Sequence, residues 1–341
     1  MAGNIQRRKV VRGIRIFLIL TVLGITFLFY SRGSAETWTI IRGFRFQYVP
    51  LAGLLILVDL FSGTARIHIF TRRIIPRGFW ICFRANLANI FLAAATPFQT
   101  GGGIAQLYVL HRHGVPYAAG VTISVFNFVA TLSFLLLATL MAVNILPDVL
   151  PQHHTLLTLM DISRFLFYLT FLLFVFFMLN PRFFGKLIDR SLTLLARLIP
   201  ARGRTFADWA SKIGGFLAQY RHYLSTYWRE AKGALICNYV LTVVLYLNKC
   251  LIAYVILLGL GITADIWQVI MLQMLIIFFL YFAPTPGAGF LAEAGISALM
   301  VLIIPAYSIP VFTVLWRFFT TYIGVLLGSL VLLKMIAAPS R

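Results

Sequence analysis

Apolar residues fall in long runs, at about 14–30, 46–64, 79–95, 104–111, 117–145, 163–180, 234–258, 266–283, 290–304 and 311–334. Runs this long and unbroken predict helices, and a bilayer crossing needs about 20 apolar residues at 1.5 Å each. The short alternating segments of a membrane barrel are missing. The run pattern predicts six full crossings, at 14–30, 46–64, 117–145, 163–180, 234–258 and 311–334. The other four runs form two pairs. From Ile104 to Pro116 the chain has about 20 Å of helix at that rise, too little for a hydrocarbon core of about 30 Å. Had 79–95 crossed fully, the chain could not return before the basic turn His111-Arg112-His113. Residues 79–111 are therefore expected to enter from one side, break at mid-depth and leave by the same side. Residues 266–304 are expected to do the same from the opposite face.

Each pair is interrupted by residues that a membrane helix normally avoids: Thr96-Pro97-Phe98-Gln99-Thr100-Gly101-Gly102-Gly103 and Pro284-Thr285-Pro286-Gly287-Ala288-Gly289. Backbone freed by Pro and Gly inside a bilayer must be satisfied by protein or by a water-lined cavity. Two such breaks at corresponding places in two halves point to a transporter's binding site and to an inverted repeat. The expected fold is an all-α polytopic membrane protein with two inverted repeats, each with a broken re-entrant hairpin. Residues 1–341 form a single membrane domain: 1–180 as the first half, 181–232 as a linker and 233–341 as the second half. The linker shows two amphipathic runs, one around Phe183 to Leu198 and one around Phe206 to Tyr227, separated by Pro200 and Gly203. They suit helices lying on an anionic leaflet, or simply a basic loop between the halves.

Composition agrees: 61% of residues are hydrophobic, 11% are charged, and mean hydropathy is +0.93. A net charge of +20 could suggest nucleic acid. Its placement excludes that partner, because 22 of the 29 Lys and Arg fall in 1–15, 65–78, 112–116, 182–232 and 334–341, between the apolar runs. The opposite loops, 31–45 and 146–164, hold four, which predicts a multi-pass inner-membrane protein with both termini cytoplasmic. The span at 14–30 reads as a retained first helix, since no small-residue cleavage site follows it. Cys82, Cys237 and Cys250 lack metal or pairing spacing, and His153-His154 lack a third ligand. No metal, cofactor or catalytic group is expected.

Thr96-Pro97-Phe98-Gln99-Thr100-Gly101-Gly102, then Gln106-Leu107-Tyr108-Val109-Leu110 and Gly114-Val115-Pro116, resembles the first signature of the lysylphosphatidylglycerol synthase transmembrane family. Pro284 to Gly289 with Ala292-Glu293-Ala294-Gly295 resembles the second, and Leu315 to Tyr322 with Gly328 the closing one. In founding members this membrane domain is joined to a soluble aminoacyl-transferase domain and is implicated in flipping aminoacylated phosphatidylglycerol. This chain ends at Arg341, just past its last helix, so it is similar to the stand-alone, YbhN-like members. The resemblance implies translocation of a lipid or similar amphiphile and does not imply lysyl transfer. Many members carry an acidic residue after the first break, where this chain has Gly103-Ile104-Ala105-Gln106.

Ionisable groups deep in a membrane are expensive and usually face a cavity or a partner. Lys249 sits mid-span, for substrate or for a structural pair such as Asp59; Asp59 could equally cap its helix or pair with Arg66. Arg317 could bind phosphate bidentately. Glu293 could hold Arg317, bind a headgroup amine, or form a purely structural pair with it. Arg84 suits a snorkelling interfacial role, with Asn86 and Asn89 expected on its face. Helices restarting near Ile104 and Phe290 would aim free N–H groups at mid-membrane, although the glycines could instead serve close packing. The substrate-binding set is Thr96, Pro97, Gln99, Gly101, Gly102, Gln106, Lys249, Thr285, Pro286, Gly287, Glu293 and Arg317. The leading expectation is a flippase- or scramblase-like translocase for an anionic or aminoacylated phospholipid, not an enzyme. Anionic membrane phospholipids are the expected partners, and a homo-oligomer fits the same reading. The alternatives are a membrane enzyme acting on lipid headgroups and a regulatory partner without transport.

Overall fold

A computed structural model describes residues 2–145 and 203–337, with isolated positions between Phe165 and Ser191. About half of the predicted span 163–180, most of the first amphipathic run and the His153-His154 pair lie outside the described residues. Those described form helices and the short connections between them, with no strand among them. Among the described residues, twelve α-helices run in the order α1 (Ala2–Arg32), α2 (Ala35–Arg42), α3 (Val49–Thr71), α4 (Phe79–Ala94), α5 (Thr100–Arg112), α6 (Tyr117–Ile145), α7 (Gly203–Glu230), α8 (Lys232–Gly259), α9 (Ile266–Tyr281), α10 (Leu291–Met300), α11 (Ile309–Arg317) and α12 (Ile323–Ala337).

Among the described residues, five stretches are long and apolar enough to cross a membrane: Arg12–Arg32, Phe46–Thr71, Tyr117–Ala142, Lys232–Gly259 and Ala306–Leu332. They match five of the six predicted crossings. At 1.5 Å per residue, α4, α5, α9 and α10 are all too short.

Hydrogen bonds between chain-distant residues fix which loops share a side. Arg112 Nη1 donates to the Met335 carbonyl (2.7 Å), and Arg73 Nη2 to the Glu230 carbonyl (2.7 Å). The ends of α3, α5, α7 and α12 thus gather on one side, which is rich in Lys and Arg. On the other, the Arg45 N–H donates to the Gly259 carbonyl (2.8 Å) and Thr37 Oγ1 to the Tyr307 carbonyl (2.8 Å). The base of the α4–α5 hairpin is on the basic side and that of α9–α10 on the opposite one. Each is wedged into its own buried cluster, around Phe70, Cys82, Val109 and Tyr227 for the first and around Leu257, Leu272, Ile296 and Phe312 for the second.

Several boundaries differ from the sequence reading. Helix α3 continues to Thr71 rather than stopping at 64, because Ser62, Thr64, Arg66 and Thr71 are buried against neighbouring helices. Helix α5 restarts at Thr100, four residues before Ile104, so Gly101, Gly102 and Gly103 form its first turn. The closing run is two α-helices joined by a π-helical turn at Phe318–Tyr322. The second amphipathic run is α7: Tyr220, Leu224 and Tyr227 are buried, while Trp209 and Trp228 are exposed.

Candidate functional site

The two breaks follow the same backbone path. Thr96 and Thr285 are extended (φ −130°, ψ 146° and φ −97°, ψ 145°), and each precedes a proline. Two left-handed residues follow in both: Phe98 (φ 52°) and Gln99 (φ 55°) in the first, Gly287 (φ 57°) and Ala288 (φ 52°) in the second. Phe98, Gln99, Ala288 and Phe290 (φ 65°) are the only non-glycine residues at positive φ among those described. Such conformations persist only where the surroundings over-determine them, and they concentrate at functional sites.

What over-determines them is the meeting of the hairpin tips. The Phe98 N–H donates to the Ala283 carbonyl (3.1 Å), and Gln99 Nε2 to the Leu280 carbonyl (3.4 Å). Backbone freed in one break is thus satisfied by the other hairpin, as the water-free interior of a bilayer requires. Gly287 is obligatory here, because a Cβ would meet the Phe17 ring at 2.3 Å on a backbone with positive φ.

Arg317, the last residue of α11, clamps this junction. Its Nη2 donates to the Gly287 carbonyl (2.9 Å), and its Nη1 lies 3.3 Å from Glu293 Oε1. The guanidinium carbon is 5.8 Å from the centroid of Phe17 and 5.6 Å from that of Tyr322, within cation–π range. Glu293 is in the first turn of α10, where a carboxylate complements the helix dipole. Gly24 of α1 admits it: a Cβ there would lie 2.9 Å from Glu293 Cγ and 3.2 Å from Oε2. The π-helical turn begins directly after Arg317, and such turns recur at functional sites.

A second ion pair joins α8 to α3, with Lys249 Nζ 2.7 Å from Asp59 Oδ1. The expected alternative, Asp59 with Arg66, does not form, because Arg66 is engaged by Asn238, Thr131 and the Asn127 carbonyl. Arg84 is exposed, and Asn86 and Asn89 go to different helices rather than sharing one partner. Asn86 Nδ2 donates to the Leu60 carbonyl of α3 (3.2 Å), and Asn89 Nδ2 to Gln106 Oε1 of α5 (2.9 Å).

A cavity of about 250 Å³ lies where these parts converge. Gln99, Lys249, Gly287 and Arg317 border it, together with Asp59, Asn89, Tyr246, Tyr281, Thr320 and Thr321. The remaining predicted residues do not line it. Thr96 Oγ1 accepts from the Gly101 N–H (2.8 Å), and Thr285 Oγ1 donates to the Gly289 carbonyl (3.1 Å), each shaping its break beside Pro97 or Pro286. Gly102 lies against Asn89, whose Oδ1 would be 2.5 Å from an added Cβ. Gln106 passes the α4–α5 link on to Ser124 Oγ of α6 (3.1 Å). Glu293 touches Arg317 from the buried side.

Tyr246 and Tyr281 fall outside every sequence motif, and Thr320 and Thr321 lie in the closing motif but outside the predicted substrate-binding set. Aromatic and hydroxyl residues within apolar runs carry no local signal, and only the helix register brings them to the cavity. Among the described residues no three His, Cys, Asp or Glu side chains come together as metal ligands. No curated protein and no solved structure matches the chain. A family model, the lysylphosphatidylglycerol synthase TM region, matches residues 13–328. With the broken hairpins and three ordered motifs inside that span, the chain belongs to the lysylphosphatidylglycerol synthase transmembrane family.

Proposed function

We propose that the protein is a lipid translocase, flippase- or scramblase-like, for an anionic or aminoacylated phospholipid or a similar amphiphile. Family membership supports a lipid-related membrane function. The observation that carries the finer reading is the cavity at the contact of two oppositely based hairpins, bordered by Arg317 and the Lys249–Asp59 pair. Pockets that enclose a drug-sized ligand are about 300–1,000 Å³. About 250 Å³ suits a headgroup, with the acyl chains remaining in lipid. Arg317 and Lys249 present cationic donors to a phosphate, and Asp59 presents an acceptor to an amine.

The shared Thr-Pro path with two left-handed residues supports an inverted repeat of 1–180 and 233–341 about the linker 181–232. The Lys/Arg asymmetry supports cytoplasmic termini in an inner membrane. Gly101-Gly102-Gly103 is not followed by the Lys-Ser/Thr of a nucleotide loop, so movement would follow a lipid or ion gradient. The charged groups of the cavity are ion-paired rather than arranged as two carboxylates for acid–base work, which supports a carrier over an enzyme.

The test is leaflet exchange of headgroup-labelled anionic and zwitterionic lipids in proteoliposomes, for wild type and Lys249→Ala. Fast exchange that the variant loses is expected. Exchange no faster than in empty liposomes, with folded protein and several lipids tried, would overturn the proposal.

A further inference from the structure

Arg66 is a buried cation with no carboxylate partner among the described residues. The residue is 8% exposed, inside the span of α3, and no Asp or Glu among the described residues lies within ion-pair distance. Its partners are all neutral. Nε donates to Asn238 Oδ1 (3.2 Å), and Nη2 donates to the Asn127 carbonyl (2.6 Å) and to Thr131 Oγ1 (3.0 Å). Those three acceptors, from α6 and α8, hold one edge of the guanidinium plane. No acceptor among the described residues meets Nη1, which keeps two N–H donors free.

Burying an uncompensated charge is costly, and in a membrane interior such a group marks a functional site by default. A residue needed only to cross-link α3, α6 and α8 could do so with a neutral amide at no electrostatic cost. What the guanidinium adds is a positive charge with two donors, oriented in advance by its other edge. That is a receptor for an anionic oxygen, and guanidinium geometry favours phosphate.

Its position gives it a place on a route. Arg66 lies seven residues beyond Asp59 on α3, roughly 10 Å of helix closer to the basic side. Thr131, which accepts from Nη2, also lies beside the Tyr246 hydroxyl, and Tyr246 borders the central cavity.

We propose that Arg66 is a second anion site, where a lipid headgroup phosphate rests between the central cavity and the basic side. The assignment rests on the translocation reading for its direction of travel, but the binding itself does not require it. The headgroup leaves Arg317 and Lys249, passes Tyr246, and is received by the free Nη1 edge. A free phosphate ion offers the same oxygens, so the test separates the two sources.

Native mass spectrometry of the protein in neutral maltoside micelles, titrated with short-chain phosphatidylglycerol, counts the lipids bound and ranks their affinities. Arg66→Gln is expected to weaken one binding event at least tenfold, and to leave binding of a short-chain diacylglycerol, which has no phosphate, unchanged. Phosphatidylglycerol binding identical to wild type would overturn the site. Should Arg66→Gln fail to fold, Asn238→Asp decides instead. It sets an internal counter-ion against Nε with little change in volume, and is expected to abolish the same event; unchanged binding there overturns the proposal equally. Inorganic phosphate that displaces that lipid one for one would support the site with the free ion as its ligand. Unaltered binding in a protein that exchanges lipid would sink the Arg66 site alone, leaving translocation standing. Weakened binding in Arg66→Gln, with no exchange by wild type, would support the site and sink the translocation reading.

Discussion

Lys249–Asp59 and Arg317–Glu293 each join a cation to a carboxylate on another helix, at 2.7 and 3.3 Å, but their side chains are 21% and 15% exposed in the first pair and 2% and 1% in the second. The sealed pair is also tied to the backbone of a break, through the Gly287 carbonyl, and roofed by the rings of Phe17 and Tyr322. The open pair has no such enclosure and borders the cavity with both partners. The same chemistry therefore has two consequences. Sealed from water, a pair is a fixed joint, since separating its charges would leave each desolvated. Open to a cavity, a pair can be divided by a ligand that offers a replacement for each partner. Arg317 belongs to both settings, held by Glu293 on one edge and bordering the cavity with another.

The sharpest way to break this contrast is to remove one member of each pair. Arg317→Met is expected to cost about 3–5 kcal/mol of stability, because Glu293 is left buried and uncompensated. Arg317→Met combined with Glu293→Leu should recover most of that loss, since replacing a buried pair by apolar residues is often neutral. Thermal or denaturant unfolding in micelles reads both. Equal damage from the single and double variants would show that the cost lies in the lost Gly287 bond rather than in the stranded charge.

The next effect in size tests how tightly the sealed pair is enclosed. Gly24→Ala pushes a methyl to 2.9 Å from Glu293 Cγ and is expected to destabilise by about 1–3 kcal/mol through overpacking. A neutral Gly24→Ala would mean that α1 can retreat from α10 and that the enclosure is soft. At the open pair, Lys249→Met should cost only about 1 kcal/mol, as partly solvated pairs do, while abolishing lipid exchange. If it destabilised as much as Arg317→Met, the two pairs would be equivalent and the distinction between joint and gate would fall.

The sequence exposes the open pair less well than the sealed one. Glu293 and Arg317 stand within recognisable motifs, whereas Asp59 lies in an apolar run whose far end reads as polar. Ser62, Thr64 and Arg66 look like a helix leaving the membrane, and only burial against α6 and α8 shows that α3 continues to Thr71. Five crossings and both hairpins are legible, because length and apolar continuity are one-dimensional properties. The Thr-Pro breaks are legible too, since Pro removes a donor and constrains its predecessor. The glycines after the first break mislead by four residues: intrinsic propensity opposes a helix there, and contact with Asn89 and Thr96 overrides it. The π-helical turn after Arg317 leaves no trace in an apolar stretch that reads as one helix.

The smallest expected effect has the opposite sign and comes from the same difference between close packing and open space. An alanine Cβ at Gly103 would have nothing within 4 Å, one residue after Gly102, where it would meet Asn89 at 2.5 Å. Both lie in the first turn of α5 with helical neighbours. Gly103→Ala removes the entropic cost of glycine in a helix and should stabilise the protein by about 0.5–1 kcal/mol without altering exchange. Unfolding midpoints measured beside lipid exchange for this variant decide what the third glycine is for. A gain in stability with normal exchange makes it a tolerated remnant of the break. A gain in stability with slowed exchange means that the first turn of α5 must loosen as a headgroup passes Gln99, so the open region needs its flexibility as much as the sealed joint needs its rigidity.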